Sequence, residues 1–535
     1  MKKSIMLLLG AAAIATPVFA AEPSDSASLG GGKEMDLDEL VVVARRQSVK
    51  QDPGRIVYLI KNDPYAVGLN GMELLDRIPR VSVVNDQVSV AGKNEVRYIV
   101  DGQLLEMTGE ALSMRLRNLQ ADGIEKIELL TTPPARYAAG NNTAFISITT
   151  RNETLGARGN VWGRGRYSDS FGYSFGGNVC HTSRKTELSV DAGWNDRRGK
   201  NDTYSEYRFA DHLQVSDRNH RFTWRTLGAN GMFRYRFNPG LSAGVMVNFS
   251  RNLSKSDRYD RTSVGSTVML SESVTPMYPE DALTLTGFVD WNIDPAGKTL
   301  SLTYNLFDKR SDALSDVITA WNTDETSRLT RDASNRYRIH SVKLDAALPF
   351  SGFKMEAGLA YTSIGNRTRL GIADEIDGEM VDNPLQSNDF VYHERAASAY
   401  LTAERNFASG IYGKIGLRYE HTYGRGSQKE DTGHHATDYG NLFPSAIVSW
   451  SIPSGGRLSA DYSAGIARPS FGDMNPFRYY NTVKDYFTGN PDLRAVLSHN
   501  AGVNYSYRGL YAVIYGNWSR NAVGYITRFD ADGMQ

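Results

Sequence analysis

The 535-residue sequence has no excess of either charge, a single cysteine and no long apolar segment beyond its N-terminus. Its 60 basic and 60 acidic residues give a net charge of zero, so it lacks the clustered positive charge that a nucleic-acid partner requires. The one cysteine, Cys180, excludes an internal disulfide framework and a cysteine-based zinc site. After residue 21 no uncharged apolar run reaches about 18 residues, which argues against a helical membrane anchor.

The first residues have the pattern of an export signal. A basic start is followed by an apolar segment, residues 5–15, that is too short to cross a bilayer as a helix. Residues 18–20 end in a small residue typical of a cleavage site, so we predict a signal peptide over residues 1–20, cleaved after Ala20. Residues 21–35 are rich in Ser, Ala and Gly and predict a flexible linker.

Residues 36–46 contain an acidic pair followed by a β-branched run. The residues concerned are Asp38, Glu39, Leu40, Val41, Val42 and Val43. A strand held behind a flexible linker can add to the sheet of another protein by β-augmentation. The alternative is that residues 40–43 form the first strand of the domain that follows, and the pattern alone leaves both open.

Residues 47–151 are predicted to form a small α+β domain. The pattern indicates a capped helix at 70–79, alternating strand runs at 81–90 and 95–100, and a turn at Asp101 and Gly102. A second helix follows, with Thr108 as its N-cap and one apolar face made of Leu112, Leu116 and Leu119. Strands are then predicted over residues 124–130 and 145–149.

From residue 155 onward apolar and polar residues alternate with a period of two. Residues 241–250, 300–306, 411–420 and 458–467 are the clearest examples. Each predicts a strand of about ten residues with one apolar and one polar face, and long polar connections such as residues 424–439 separate some of them. A propeller or a solenoid is disfavoured because no fixed-length repeat occurs. We therefore predict a mainly β protein whose residues 155–535 form a transmembrane antiparallel β-barrel.

The N-terminal segments resemble those of TonB-dependent outer-membrane receptors. Residues 38–44 are similar to the family's TonB box, and residues 97–102 to its plug strand ending in Asp-Gly. Residues 123–130 are similar to its I-E-x-I-E strand, and residues 134–137 with 145–148 to the end of the plug. Two departures are Glu39, where many members carry Thr, and the absence of a Gly-Gly pair within residues 139–143.

A second resemblance lies in the barrel region. The dipeptide R-P at 468–469, N-P-F at 475–477 and G-N-P-D-L at 489–493 resemble a signature of Bacteroidetes-type receptors, in which several more strands follow. The resemblance implies a barrel of about 22 strands, whereas about 18 are counted here. We therefore expect a C-terminally truncated chain, with a smaller barrel that closes as it stands as the alternative.

The resemblance also implies a location and a function. It implies a Gram-negative outer membrane, with the barrel in contact with outer-membrane lipid and the plug within the lumen on the periplasmic side. It implies a receptor that captures a scarce nutrient at its outer loops and imports it when TonB, driven by its inner-membrane complex, pulls on residues 38–43. The nutrient stays open among siderophore, cobalamin, glycan and peptide. A non-energised barrel, acting as porin, adhesin or assembly component, is the alternative.

No motif for catalysis or for cofactor binding is present, so we expect a protein that is not an enzyme and needs no cofactor or metal. Candidate ligand contacts in outer loops are His434 and His435, together with the aromatic residues Phe477, Tyr479 and Tyr480, which could stack on a sugar or an aromatic chelator. Solvated loop histidines and girdle aromatics explain the same residues. Arg136 and Arg164 are candidates for the contact between plug and barrel. The plug-like domain argues against a barrel enzyme.

Overall fold

The computed structural model describes residues 10–14 and 48–527, except 85, 131, 138–139, 141, 152–154, 168, 209–211, 323–324, 408–409, 429–430, 483–484 and 508–509. The predicted cleavage site at Ala20, the predicted linker and the TonB-box-like residues 38–43 lie outside these described residues. Strands make up 74% of the structure, which confirms the mainly β prediction. Strand β1 is Gly10–Ile14.

An N-terminal domain occupies residues 48–151. Its elements are β2 (Val49–Asp52), β3 (Arg55–Leu59), α1 (Gly71–Leu75), β4 (Val81–Val84), β5 (Gln87–Val90), β6 (Glu95–Val100), β7 (Gln103–Leu105), α2 (Gly109–Asn118), β8 (Ile124–Leu130) and β9 (Thr143–Thr150). Short 3₁₀ turns lie at Ile60–Asn62, Pro64–Ala66 and Ala121–Gly123. Six strands form one sheet in the order β2-β3-β8-β9-β6-β7, and β4 pairs with β5 in a separate hairpin.

Helix α1 begins where the sequence predicts because Asn70 caps it. The Asn70 side chain accepts hydrogen bonds from the N–H groups of Met72 (3.0 Å) and Glu73 (3.2 Å). The Glu73 carboxylate accepts one from the Asn70 N–H at 2.9 Å, which completes a capping box. The helix ends at Leu75, earlier than the predicted residue 79.

The run 81–90, predicted as one strand segment, folds as the β4–β5 hairpin. Its turn contains Asp86, whose φ of 65° lies in the left-handed region. Aspartate tolerates this conformation better than most residues, so the turn can form between two valine-rich strands. The hairpin places the Asp86 carboxylate at its tip.

The domain has an apolar core of its own between the sheet and the two helices. Fully buried side chains come from α1, α2, β8 and β9, namely Leu74, Leu75, Leu116, Ile124, Ile127, Leu129 and Ile146. Leu112 and Leu119, predicted on the same face as Leu116, pack against this cluster and are partly buried. The predicted apolar face of α2 is therefore the face that packs on the sheet.

The remaining chain forms one large antiparallel sheet that curves around the N-terminal domain. Its strands are β10 (Gly156–Tyr167), β11 (Phe171–Thr182), β12 (Thr186–Arg208), β13 (Leu213–Asn238), β14 (Leu241–Val264), β15 (Thr267–Asn292), β16 (Thr299–Trp321), β17 (Thr326–Phe350), β18 (Phe353–Ile376), β19 (Glu379–Asp382), β20 (Asn388–Asn406), β21 (Ile411–Gln428), β22 (Asp431–Ser451), β23 (Arg457–Ala467), β26 (Val496–Tyr507) and β27 (Leu510–Arg520). Between β23 and β26 lie helix α3 (Phe471–Met474) and the hairpin of β24 (Arg478–Thr482) with β25 (Asp485–Thr488).

Several strands are about twice as long as the ten residues predicted, so that expectation is wrong. Strand β14 has 24 residues and β13 has 26. The apolar face covers only part of each strand, but the polar remainder keeps pairing with its neighbours because this satisfies the backbone groups. The predicted polar loop at residues 424–439 is wrong for the same reason, since β21 and β22 extend through most of it.

The described strands do not close the sheet. No pairing joins β10 to β27 within the described part of the chain. Strand β1, which lies within the predicted signal peptide, pairs with β27 instead, Gly10 opposite Tyr515 and Ile14 opposite Tyr511. Among the residues described, no helix combines the length and the apolar character needed to cross a membrane.

Candidate functional site

A buried carboxylate lies at the contact between helix α2 and the inner face of the barrel, which we call the seam. Asp191 on β12 is only 2% exposed and forms an ion pair with Arg115 of α2. Its other oxygen accepts hydrogen bonds from the side-chain amides of Asn118 and Asn230, each at 2.8 Å. The buried charge therefore has a partner on each side of the seam, as buried carboxylates require.

The same helix approaches the wall closely because two barrel residues have no side chain. A Cβ at Gly228 would lie 3.0 Å from the Met114 methyl carbon, and one at Gly193 would lie 3.2 Å from the Met114 sulfur. Asn118 accepts a further hydrogen bond from the indole N–H of Trp162 on β10 at 2.6 Å. Glycines on the wall and a methionine on the helix thus fit the two surfaces together.

A second carboxylate lies at the tip of the β4–β5 hairpin. Asp86 contacts Arg117 of α2 at 2.6 Å, Arg164 of β10 at 3.1 Å and Arg166 of β10 at 2.7 Å. Burial by itself would raise the pKa of Asp86, but the hydrogen bond and charge of Arg117 and the charge of Arg164 outweigh it and lower the pKa to about 2. We refer to Asp86, Arg117, Arg164 and Arg166 as the Asp86 clamp.

On another part of the wall, Arg136 and Tyr137 of the N-terminal domain face β17 and β18. The Arg136 guanidinium lies 5.2 Å from the Tyr137 ring centre, and the Lys343 amine lies 4.7 Å from the same centre. Burial opposes the charged form of Arg136, but its interactions with Tyr137 and with the carboxylates of Glu356 and Asp345 outweigh burial and raise its pKa. This residue is therefore held as a cation against the acidic wall.

The arginine of the R-P signature belongs to a buried ionic network on the inner wall. Arg468 lies 3.1 Å from Glu394, pairs with Glu420 and donates to the Thr422 hydroxyl at 3.0 Å. Arg418 pairs with Glu420 at 2.9 Å and donates to the backbone carbonyl of Ala135 in the N-terminal domain at 3.4 Å. Arg468 is thus connected to the N-terminal domain through the side chains of Glu420 and Arg418.

A large cavity lies between the N-terminal domain and the wall. Its volume is about 1220 Å³. Residues of the domain that line it include Leu112, Ser113, Glu106, Met107 and Thr108, and wall residues include Arg197, Arg218, Trp224, Arg258, Tyr278 and Arg331. Both signs of charge and several aromatic rings are present, so the cavity suits a polar ligand that also offers a flat surface.

A smaller cavity of about 450 Å³ adjoins the first and is bordered by helix α3. Phe471, the first residue of α3, lies against Tyr392 (ring centres 4.9 Å apart) and Tyr337 (5.7 Å). Both cavities are lined by Glu106, Met107 and Thr108 of the N-terminal domain. The segment after β23 therefore reaches over the lumen rather than away from it.

Two of the aromatic residues predicted to contact ligand, Phe477 and Tyr479, have described side chains. Phe477 and Tyr479 form an edge-to-face pair with ring centres 5.2 Å apart, and the Tyr479 hydroxyl accepts from Asn475 at 2.8 Å. Neither of them lines the two cavities just described. Tyr480 lies in β24, where only its backbone is described.

His434 and His435, the other predicted contacts, are part of β22. They lie opposite Ser427 and Gly426 of β21, and their side chains are outside what the structure describes. Within the described part of the chain, no group of three or more His, Cys, Asp or Glu side chains could hold a metal ion.

Asp86, Arg117, Asp191 and Phe471 were not singled out from the sequence. The only signal for Asp86 is the Asn-Asp pair between two valine-rich runs, which is typical of a hairpin turn. Arg164 and Arg166 stand two apart and so share a strand face, but the sequence does not show that this face meets Asp86. The partners come from segments about 80 residues apart in the chain.

The comparisons with known proteins support this picture. Residues 291–534 match the outer membrane protein beta-barrel family. None of the curated proteins matches the chain in sequence.

Solved structures match over most of the chain. The ferripyoverdine receptor of the outer membrane of Pseudomonas aeruginosa, bound to ferripyoverdine, is 12% identical with a TM-score of 0.55 and covers 88% of this chain. The copper transporter OprC is 13% identical with a TM-score of 0.51, and the match covers 88% of this chain and 72% of OprC. A double mutant of the Serratia marcescens hemophore receptor HasR, in complex with its hemophore HasA and heme, is 11% identical with a TM-score of 0.50, and the match covers 88% and 74%.

These matches define the class of protein by fold. The chain has the fold of these outer-membrane receptors and transporters, with an N-terminal domain inside the sheet, as the sequence resemblance implies. The chain spans 64% of the length of the ferripyoverdine receptor. The matches support an outer-membrane location.

Proposed function

We propose that this protein is a TonB-dependent receptor that binds a scarce nutrient at its outer loops and imports it through a barrel closed by the N-terminal domain as a plug. The observation that carries the proposal is the position of residues 48–151, which contact the inner wall through the Asp86–Arg164 and Arg115–Asp191 ion pairs. A plug that fills the lumen blocks the free diffusion by which an abundant small solute could enter. Such a plug is compatible with a ligand that binds first and then enters when energy is used to displace the plug.

The chemistry of the seam supports a plug that can move as a unit. Its core is apolar and buried and extends to Met246 and Phe288 of the wall, whereas many of its other contacts to the wall are ion pairs and hydrogen bonds. Water can replace such contacts when the seam opens, whereas exposing the apolar core would lose its hydrophobic stabilisation. Displacement of the whole domain is therefore less costly than its unfolding.

The work would come from outside the outer membrane, which holds neither ATP nor an ion gradient. We propose that residues 38–43 pair with TonB as an added strand, which gives the inner-membrane complex a point on which to pull. Residues 21–35 would give this strand its reach. The 1220 Å³ cavity above the plug is the proposed place where captured ligand waits.

The test is capture of the full chain, in detergent, by the periplasmic domain of the host's TonB. Leu40→Pro removes a backbone donor within the proposed strand and should abolish capture. Ser28→Pro places the same residue in the linker and should leave capture unchanged. If the unaltered chain is not captured, the non-energised barrel becomes the better explanation; capture of Leu40→Pro at full strength would show that the pairing strand lies elsewhere.

A further inference from the structure

The outer face of the sheet carries a row of arginines on neighbouring strands. Each of the five strands β14 to β18 contributes one residue to this row, and each residue lies directly opposite the next one on the neighbouring strand. The five residues are Arg251, Asp281, Arg310, Arg336 and Arg367. Directly opposed residues point to the same side of a sheet, so all five share one face. The four arginine side chains are between 53 and 67% exposed.

This face is the apolar one that points away from the plug. A second row of directly paired residues lies six residues further along each strand, towards the short turns. It consists of Val245, Gly287, Tyr304, Val342 and Tyr361. Eight residues along, they are Ala243, Val289, Leu302, Leu344 and Leu359. Exposed apolar side chains in two successive rows mark the surface that contacts hydrocarbon.

The arginine row begins where that apolar surface ends. Phe249 and Leu283 lie opposite each other two residues nearer the short turns than Arg251 and Asp281, a step of about 7 Å along the strand. On β16 and β17 the residues two steps before the row are already charged, Asp308 and Arg338. The row therefore lies past the hydrocarbon-facing surface, on the side where charged residues begin.

The patch around Arg310, Arg336 and Arg367 holds more arginines than aspartates, although each of the three has an aspartate within 4 Å. Arg310, Arg336 and Arg367 are consecutive neighbours, and like charges placed directly opposite destabilise a sheet. Asp312 lies 2.8 Å from Arg310, Asp308 3.6 Å from Arg336, and Asp389 2.9 Å from Arg367. The same patch also contains Arg338 beside Asp308, and Arg369 opposite Asp389, so five arginines face three aspartates.

We infer that Arg310, Arg336 and Arg367 bind the phosphate groups of outer-leaflet lipid, that is, of a phosphorylated glycolipid such as lipid A. Each guanidinium presents five N–H donors in a planar fork that matches phosphate, and one carboxylate occupies only part of that fork. A ligand on its way through the lumen cannot reach this face. The inference goes beyond the proposed function and rests only on its outer-membrane placement.

The test is a titration of the purified full chain, in detergent, with bisphosphorylated lipid A and with the same lipid after enzymatic removal of both phosphates. The double variant Arg336→Gln/Arg367→Gln should bind bisphosphorylated lipid A roughly tenfold or more weakly than the unaltered chain, because two charge-assisted contacts are lost. Arg328→Gln is the matched control, since Arg328 is a similarly exposed arginine of β17 eight residues beyond Arg336. It should bind within about twofold of the unaltered chain.

Three results would overturn the inference. They are equal binding of the two lipid forms, unchanged binding by the double variant, and complete competition by inorganic phosphate at millimolar concentration, which would indicate a free-anion site. Heat-dependent gel mobility of each variant checks that the barrel is folded. Capture by TonB is measured in parallel: an unaltered chain that is captured but does not bind bisphosphorylated lipid A contradicts this inference alone, and an unaltered chain that binds the lipid but is not captured contradicts only the proposed function.

Discussion

The Arg164 guanidinium, on the first strand of the barrel, donates to both carboxylate oxygens of Asp86, at 3.1 and 3.2 Å. The two residues stand 78 positions apart in the chain, and their contact joins the tip of a plug hairpin to the wall. Arg117 and Arg166 complete the site. One carboxylate thus holds three cations, and its removal should loosen the plug more than any other change of a single charge in the hairpin.

Asp86→Asn should destabilise the plug by about 2–3 kcal/mol, because Arg117 is buried and would lose a carboxylate partner. The measurement is urea unfolding followed by proteolysis of the plug. Asp169→Asn, in the exposed turn between β10 and β11, is the control and should change stability by less than about 0.5 kcal/mol. Equal effects of the two substitutions would contradict a clamp.

Acid should release the same clamp. The pKa of Asp86 is about 2 in the folded protein, against 3.8 for an unperturbed aspartate. Because the folded-state pKa is the lower one, the stabilisation is fully present above about pH 4 and is lost as the pH falls towards 2. The difference corresponds to roughly 2 kcal/mol. Between pH 5 and pH 2 the melting temperature of the plug should fall less in Asp86→Asn than in the unaltered chain, and parallel curves would argue against this assignment.

Gly465→Ala should separate the plug from the wall. A Cβ at Gly465 of β23 would lie 2.2 Å from the backbone oxygen of Gly140, which cannot turn aside as a side chain can. We expect a cost of about 1–3 kcal/mol, seen as a lower melting temperature. Gly516→Ala on β27, where a Cβ would meet open space, should have little effect. A neutral Gly465→Ala would mean that the two segments do not touch in solution.

Phe471→Ala should open the smaller cavity. The ring lies between Tyr392 and Tyr337 and borders the cavity beside Thr108. In a Cys180→Ser background, a cysteine introduced by Thr108→Cys should react several-fold faster with a water-soluble maleimide once the ring is removed. Phe477→Ala removes an equal ring that lines neither cavity and should leave the rate unchanged. An unchanged rate in Phe471→Ala would show that α3 does not restrict access.

Much of the plug could be predicted from sequence because its structure is local. Asn70 with Glu73 predicts the start of α1, and the apolar positions 112, 116 and 119 predict the buried face of α2. Strand β8 spans the predicted residues 124–130. Capping and periodicity act over a few residues, so they are visible in the chain itself.

The lengths of the barrel strands were not predictable in the same way. The alternating pattern marks only the part of a strand that faces hydrocarbon, and the strand continues wherever a neighbour pairs with its backbone. For this reason the residues around 424–439 were predicted as a loop and are strands.

The sequence by itself determined the class of fold: alternation with a period of two, a small α+β domain before it, and a resemblance carried by short motifs. Only the tertiary structure decided which charges meet. Asp86 pairs with Arg164, Asp191 pairs with Arg115, and Arg310 lies between Asp281 and Arg336. These contacts form because strand register and the position of the plug inside the barrel bring distant segments together. Register is a property of the assembled sheet, and a shift by one residue would turn each of these side chains to the other face.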